Sequence, residues 1–185
     1  MIWPFGDLKM FGYRVILADP PWTFQAGGDR MATKHYPVMS TEAIQALPVG
    51  QLASKDCALI LWALDPMLDV AIDTGRKWGF KFVSVHRYWA KSLRSGAPGW
   101  HLGTGYGTRA NPEQALLFMN GTIGMPNDRS VRRLLVSPVR EHSRKPDEIK
   151  PDIERLYDGP YCELFARETR PGWDSWGNQT DRFTG

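Results

Sequence analysis

The run Cys57-Ala58-Leu59-Ile60-Leu61-Trp62-Ala63 carries no charged or strongly polar side chain. A surface helix shows a polar stripe and a half-exposed strand alternates, so this run describes a strand covered on both faces. Strand-like runs recur at Arg14–Ala18, Phe82–Trp89, Glu113–Met119, Leu134–Val136 and Tyr161–Ala166. Helical stretches lie between them. Ser40 can cap a short helix reaching Leu47. From Pro66 to Trp78, Met67, Val70, Ala71, Thr74 and Trp78 share one side, and Gly79 follows the end. Pro146 to Tyr157 repeats this plan, with Asp147 and Glu148 at the positive helix end and Ile149, Ile153 and Leu156 on one face. The alternation predicts an α/β fold, a mostly parallel sheet with helices on both faces, in one domain over residues 1–185.

Hydrophobic residues make up 42% of the chain and charged residues 23%, enough for a sizeable core. No apolar run approaches the roughly 20 residues that span a bilayer. Met1–Gly6 lacks the regions of a signal peptide, so a cytoplasmic protein without membrane contact is expected. Cys57 and Cys162 lie in apolar runs and read as reduced, buried thiols. The histidines and cysteines show no metal-ligand spacing, and no metal is expected. Of the eight tryptophans, Trp3, Trp22, Trp100 and Trp173 fall in loop-like segments. The net charge is +3 but unevenly spread. Arg87, Lys91, Arg94 and Arg109 form one basic stretch; Arg129, Arg132, Arg133, Arg140, Arg144 and Lys145 form another, opposed by Glu141 alone. Such asymmetry suits a face turned toward phosphates.

Ligands of open α/β sheets bind beyond the carboxyl ends of the strands. Asp19-Pro20-Pro21-Trp22 follows the first strand directly. The Asp19 carboxylate can accept a hydrogen of an exocyclic amine, and the prolines keep their carbonyls while offering no N–H. Trp22 offers a flat face to a base or fills the core. Arg167 follows the strand Tyr161–Ala166, and the glycine-rich loop Ser92–Asn111 comes after another strand. That loop exceeds the usual length of a connection, which points to function, and it reads as a mobile substrate loop.

Five motifs then occur in order: Asp19–Trp22, Tyr36-Pro37-Val38-Met39-Ser40, Lys145-Pro146-Asp147-Glu148-Ile149, Glu163-Leu164-Phe165-Ala166-Arg167 and Trp176-Gly177-Asn178-Gln179. Together they resemble the N6-adenine methyltransferases, the family that contains the catalytic subunit of the messenger-RNA adenosine methyltransferase. The similarity runs from about Tyr13 to Gln179. It implies a Rossmann-like sheet in permuted order, with the catalytic turn first and much of the S-adenosylmethionine site last. It also implies nucleic acid as partner, DNA for bacterial and phage members; a homo- or hetero-oligomer stays open, since the sequence is silent on oligomeric state. Residue by residue, the resemblance implies that Asp19 and the Pro20 carbonyl hold the amine, with Pro21 and Trp22 completing the turn. Tyr36 and Glu113 would face the acceptor; Lys91, beyond the end of its strand, joins them as a substrate-binding candidate on its place at the sheet edge. Asp19, Lys145, Glu163, Arg167, Asn178 and Gln179 would face the cofactor. Two departures stand out: Asp7 is the only acid ahead of the first strand, and Glu168-Thr169-Arg170 replaces the histidine and asparagine of the eukaryotic enzyme.

An adenine amine is a poor nucleophile because its lone pair is delocalised. Two acceptors on its hydrogens favour a tetrahedral nitrogen, so Asp19 is expected as an ionised acceptor with no need of a raised pKa. The same clamp would serve RNA adenosine or a cytosine amine. A non-catalytic nucleic-acid-binding subunit is the alternative of another class, and the intact Asp19–Trp22 turn speaks against it.

Overall fold

The computed structural model describes residues 3–22, 39–105, 107–141 and 143–182. Among them, seven strands form one sheet: β1 (Tyr13–Ala18), β2 (Ala53–Ala63), β3 (Lys81–Ser92), β4 (Pro112–Asn120), β5 (Leu134–Pro138), β6 (Tyr161–Leu164) and β7 (Trp173–Trp176). Their spatial order is β5-β3-β4-β2-β1-β6-β7. Three α-helices accompany them: α1 (Thr41–Gln45), α2 (Leu68–Lys77) and α3 (Ile149–Leu156). The sheet is mostly parallel, as expected, with β4 alone running antiparallel to both neighbours. This reversal has a functional result. The amino end of β4, carrying Glu113, arrives at the edge where the other strands end.

β1 and the Cys57–Ala63 part of β2 are covered on both faces, which explains their apolar runs. Ile16, Leu59, Leu61 and Phe118 face Ile44 of α1 and Ala71 of α2, whereas Val15, Leu17, Ile60 and Trp62 face Ile149 and Ile153 of α3. Ser40 caps α1, its hydroxyl accepting from the Ala43 N–H at 3.1 Å. Helix α3 begins at Ile149 and not at Pro146. Pro151 accounts for the delay. Proline is tolerated only in a first turn, and a helix begun at Pro146 would place it in the interior.

Three other expectations change. Trp173 lies in β7, buried, stacked on Tyr161 at 4.9 Å and donating to Glu154 Oε1 at 2.7 Å. Arg87 belongs to no basic loop. It is buried in β3, 3.1 Å from Asp152 of α3, and donates to the Arg132 carbonyl. The second basic stretch is divided by β5, with Arg129, Arg132 and Arg133 at its amino end and Arg140, Arg144 and Lys145 beyond its carboxyl end. Its charges therefore do not share one face. In the long loop, the Asn111 amide donates to the carbonyls of Lys91 at 2.8 Å and His101 at 2.6 Å, tying the loop's two ends to the end of β3. No helix among the described residues is long and apolar enough to cross a membrane.

Candidate active site

The strand-terminal turn is held by its own backbone. The Asp19 N–H donates to the Leu164 carbonyl at 3.4 Å, tying the turn to β6, and the Trp22 N–H donates to the Pro20 carbonyl at 2.8 Å. A carbonyl has two lone pairs, so Pro20 keeps accepting capacity. Trp22 is buried, and its indole N–H donates to the Trp62 carbonyl at 3.0 Å. Trp22 therefore packs in the core, as one of its two readings expected, and also borders the cavity beyond the turn.

That cavity has a volume of about 540 Å³, within the range of small-molecule sites. Asp19, Pro20, Pro21, Trp22, Lys91, Glu113, Lys145 and Arg167 all border it. Lys145 Nζ lies 3.0 Å from Asp19 Oδ1 and 2.8 Å from Glu113 Oε1. Lys91 Nζ lies 3.0 Å from Glu113 Oε2. Burial pushes the Asp19 carboxyl above its ordinary value, against the pull of Lys145, a shift that the two-acceptor scheme does not require. Burial acts the same way on Glu113, but Lys145 and Lys91 outweigh it and hold this carboxyl low. Burial disfavours the charged Lys145, yet Asp19 and Glu113 prevail and keep it firmly protonated.

Two smaller cavities adjoin the first. One, of about 70 Å³, is bordered by Asp19, Phe165, Arg167, Asn178 and Gln179. The other, of about 50 Å³, is bordered by Asp19, Lys145, Lys150, Glu163 and Arg167. Asp19 and Arg167 border all three. Glu163 pairs with the buried Lys150 at 2.8 Å, and burial, opposed by Lys150, keeps its carboxyl raised. The chain reaches Asn178 by a close passage. A Cβ on Gly177 would stand 2.5 Å from the Ala166 carbonyl oxygen, so only glycine fits there. Phe165, with φ of 61°, and Ser143, also 61°, are non-glycine residues in the left-handed region, and both border the 50 Å³ cavity. Backbone strain of this kind gathers at functional sites.

The structure thus brings together every proposed site residue that it describes; Tyr36 lies outside the described residues. Asp7 is exposed and borders none of the three cavities. Sequence reading passed over Trp62, Leu64 and the part played by Arg140. Trp62 and Leu64 stand at the carboxyl end of β2, where the strand-edge rule points. Arg140 joins Asp147 and donates to the Lys145 carbonyl at 2.8 Å, fixing the backbone that presents Lys145. No local signal reveals that contact.

The model of the MT-A70 family matches residues 13–179. The type II methyltransferase M.MunI from Mycoplasma sp is 31% identical over 94% of this chain and 80% of its own length. The N(6)-adenine-specific methyltransferase METTL4 from Homo sapiens is 28% identical over 92% of this chain and 38% of its own length. The N(6)-adenosine-methyltransferase catalytic subunit METTL3 from Homo sapiens is 29% identical over 95% of this chain and 30% of its own length.

Proposed function

Because this chain belongs to the MT-A70 family, we propose that it transfers a methyl group from S-adenosylmethionine to the N6 amine of adenine in DNA. The observation that carries the reading is Asp19, beside a turn carbonyl and a protonated Lys145, at the junction of the three cavities. DNA is proposed over RNA because the chain spans 80% of the type II methyltransferase M.MunI but 30% of the adenosine enzyme METTL3.

The residues present fit the cofactor. Arg167, Asn178 and Gln179 offer a guanidinium and two amides along one cavity wall, suited to hydroxyl and carboxylate groups. Glu163 borders the neighbouring space, its carboxylate committed to Lys150. When bound, S-adenosylmethionine supplies an electrophilic methyl on a sulfonium. The chain supplies position. The base enters the 540 Å³ cavity between Trp22, Leu64 and Trp89, at a cost of a few kcal/mol for leaving a stack. Asp19 and the Pro20 carbonyl accept its two amine hydrogens and aim the nitrogen lone pair toward the cofactor side. Asp19 then takes the proton that the methylated amine sheds. Orientation of this kind can supply about 7–11 kcal/mol of the barrier. Tyr36 is proposed as a further acceptor contact.

The buried, unpaired Cys57 and Cys162 suit a reducing cytoplasm. The activity itself is tested by nucleoside mass spectrometry after incubation with methyl-labelled S-adenosylmethionine and matched DNA and RNA oligonucleotides. Labelled N6-methyladenine from DNA is expected. Label in RNA alone moves the assignment to RNA, and no label in either, with cofactor bound, overturns it.

A further inference from the structure

Lys91 takes no part in the two-acceptor scheme, yet its ammonium is built into the interior of the site. It stands 3.0 Å from Glu113, Glu113 stands 2.8 Å from Lys145, and Lys145 stands 3.0 Å from Asp19. The result is an alternating ladder of cation, anion, cation and anion. Its rungs come from β3, β4, the segment ahead of α3 and the turn after β1. The inner groups are well covered, with side-chain exposures of 9% for Glu113 and 12% for Lys145, and Lys91 closes the outer end at 23%. Tryptophan rings back both cations, Trp89 at 5.0 Å from Lys91 and Trp62 at 5.4 Å from Lys145.

Two carboxylates in so dry a place need two cations. Without Lys91, Asp19 and Glu113 would share Lys145, with Arg167 helping Asp19 alone, and the pair would hold protons more tightly. We infer that Lys91 is a positioning residue: acting through Glu113 and Lys145, it keeps Asp19 ionised and aimed at the acceptor amine. This rests on the role of Asp19 proposed above. The groups around the ladder from other elements include Arg167 after β6, which favours the ionised Asp19, and Glu163 of β6, itself paired with Lys150, while His101, Arg140, Glu141 and Arg144 border the same cavity. Asp65 after β2 also faces it, held by the Gln114 amide at 3.2 Å, with burial and then Glu113 raising its carboxyl.

The test follows the Asp19 carboxyl carbon by carbon-13 NMR in the free protein, with the signal assigned through Asp19→Asn. With Lys91 joined to Asp19 only through Glu113 and Lys145, Lys91→Met should raise the Asp19 midpoint by about one pH unit. Lys91→Arg should restore it. Glu113→Gln should move it the other way, because the freed Lys145 then serves Asp19 alone. A loss of packing has no reason to give shifts of opposite sign. Lys91→Gln takes the place of Lys91→Met should that variant not fold by circular dichroism. An unmoved midpoint in a folded Lys91 variant, or a shift of the same sign in Glu113→Gln, overturns the inference. The titration requires no methyl transfer, so it fails or stands separately from the proposed activity.

Discussion

In the proposed role Asp19 keeps lone pairs free for an amine while standing 3.0 Å from a lysine. Asp19→Asn preserves the shape but turns one acceptor into a donor. Single-turnover methyl transfer should fall on the order of 10²–10³-fold, as when a single preorganised hydrogen-bonding partner is removed elsewhere. A variant retaining full rate would remove Asp19 from its role. The carboxyl must be ionised to accept, and burial raises it above the ordinary value of 3.8. Transfer should therefore decline toward acid at a pH above the usual carboxylate range, which a pH profile of kcat/KM measures. His86 makes a stability prediction. Neither ring nitrogen finds a protein partner, and burial, then the charges of Arg87 and Arg133, push its pKa from 6.5 to about 3. Between those values the unfolded chain binds the extra proton, so the contribution is present above pH 6.5 and is lost as pH falls toward 3. Urea unfolding should show a loss of at most about 1.4 kcal/mol per pH unit in that window. His86→Phe should flatten that slope, and an unchanged slope would place its origin in another group.

The segments after β6 and β7 form the wall proposed for the cofactor. Gly177 passes the Ala166 backbone so closely that an added Cβ would meet its carbonyl oxygen at 2.5 Å and its nitrogen at 2.8 Å. Gly177→Ala must push the chain aside just ahead of Asn178 and Gln179. A stability loss of about 1–3 kcal/mol is expected from the overpacking. Calorimetry should also show weaker binding of S-adenosylmethionine with an unchanged far-ultraviolet spectrum. Unaltered affinity would show that Asn178 is positioned from elsewhere. Elements also mark how far local pattern carries. The double-sided burial of β1 and β2 was legible because it leaves no polar face. β7 was not, since four residues reading Trp-Asp-Ser-Trp carry too little pattern for a strand. The start of α3 was misplaced for a physical reason: Pro146 and Pro151 both satisfy a first turn, and only packing chose between them.

Across the whole molecule, charge was the property that the chain order misrepresented. Arg94 and Arg109 are exposed on the loop that leaves the active-site edge, whereas Arg132 and Arg133 stand at the amino end of β5. Arg94→Ala should lower the slope of log Kd against log salt for a DNA oligonucleotide by about one. Arg132→Ala should leave the slope for a short oligonucleotide unchanged, and equal losses would mean that DNA reaches both ends of β5. The sequence by itself determined the α/β class, the two covered faces and the identity of the turn Asp19–Trp22, because each is written in residues adjacent along the chain. It also supplied Lys145, Arg167, Asn178 and Gln179 as candidates, through short motifs. Only the tertiary structure decided that β4 runs backward and delivers Glu113 to the working edge. Only there does Lys91 meet Glu113, and Glu113 meet Lys145, because ion pairs across three segments depend on strand order and direction, which no local run of residues encodes.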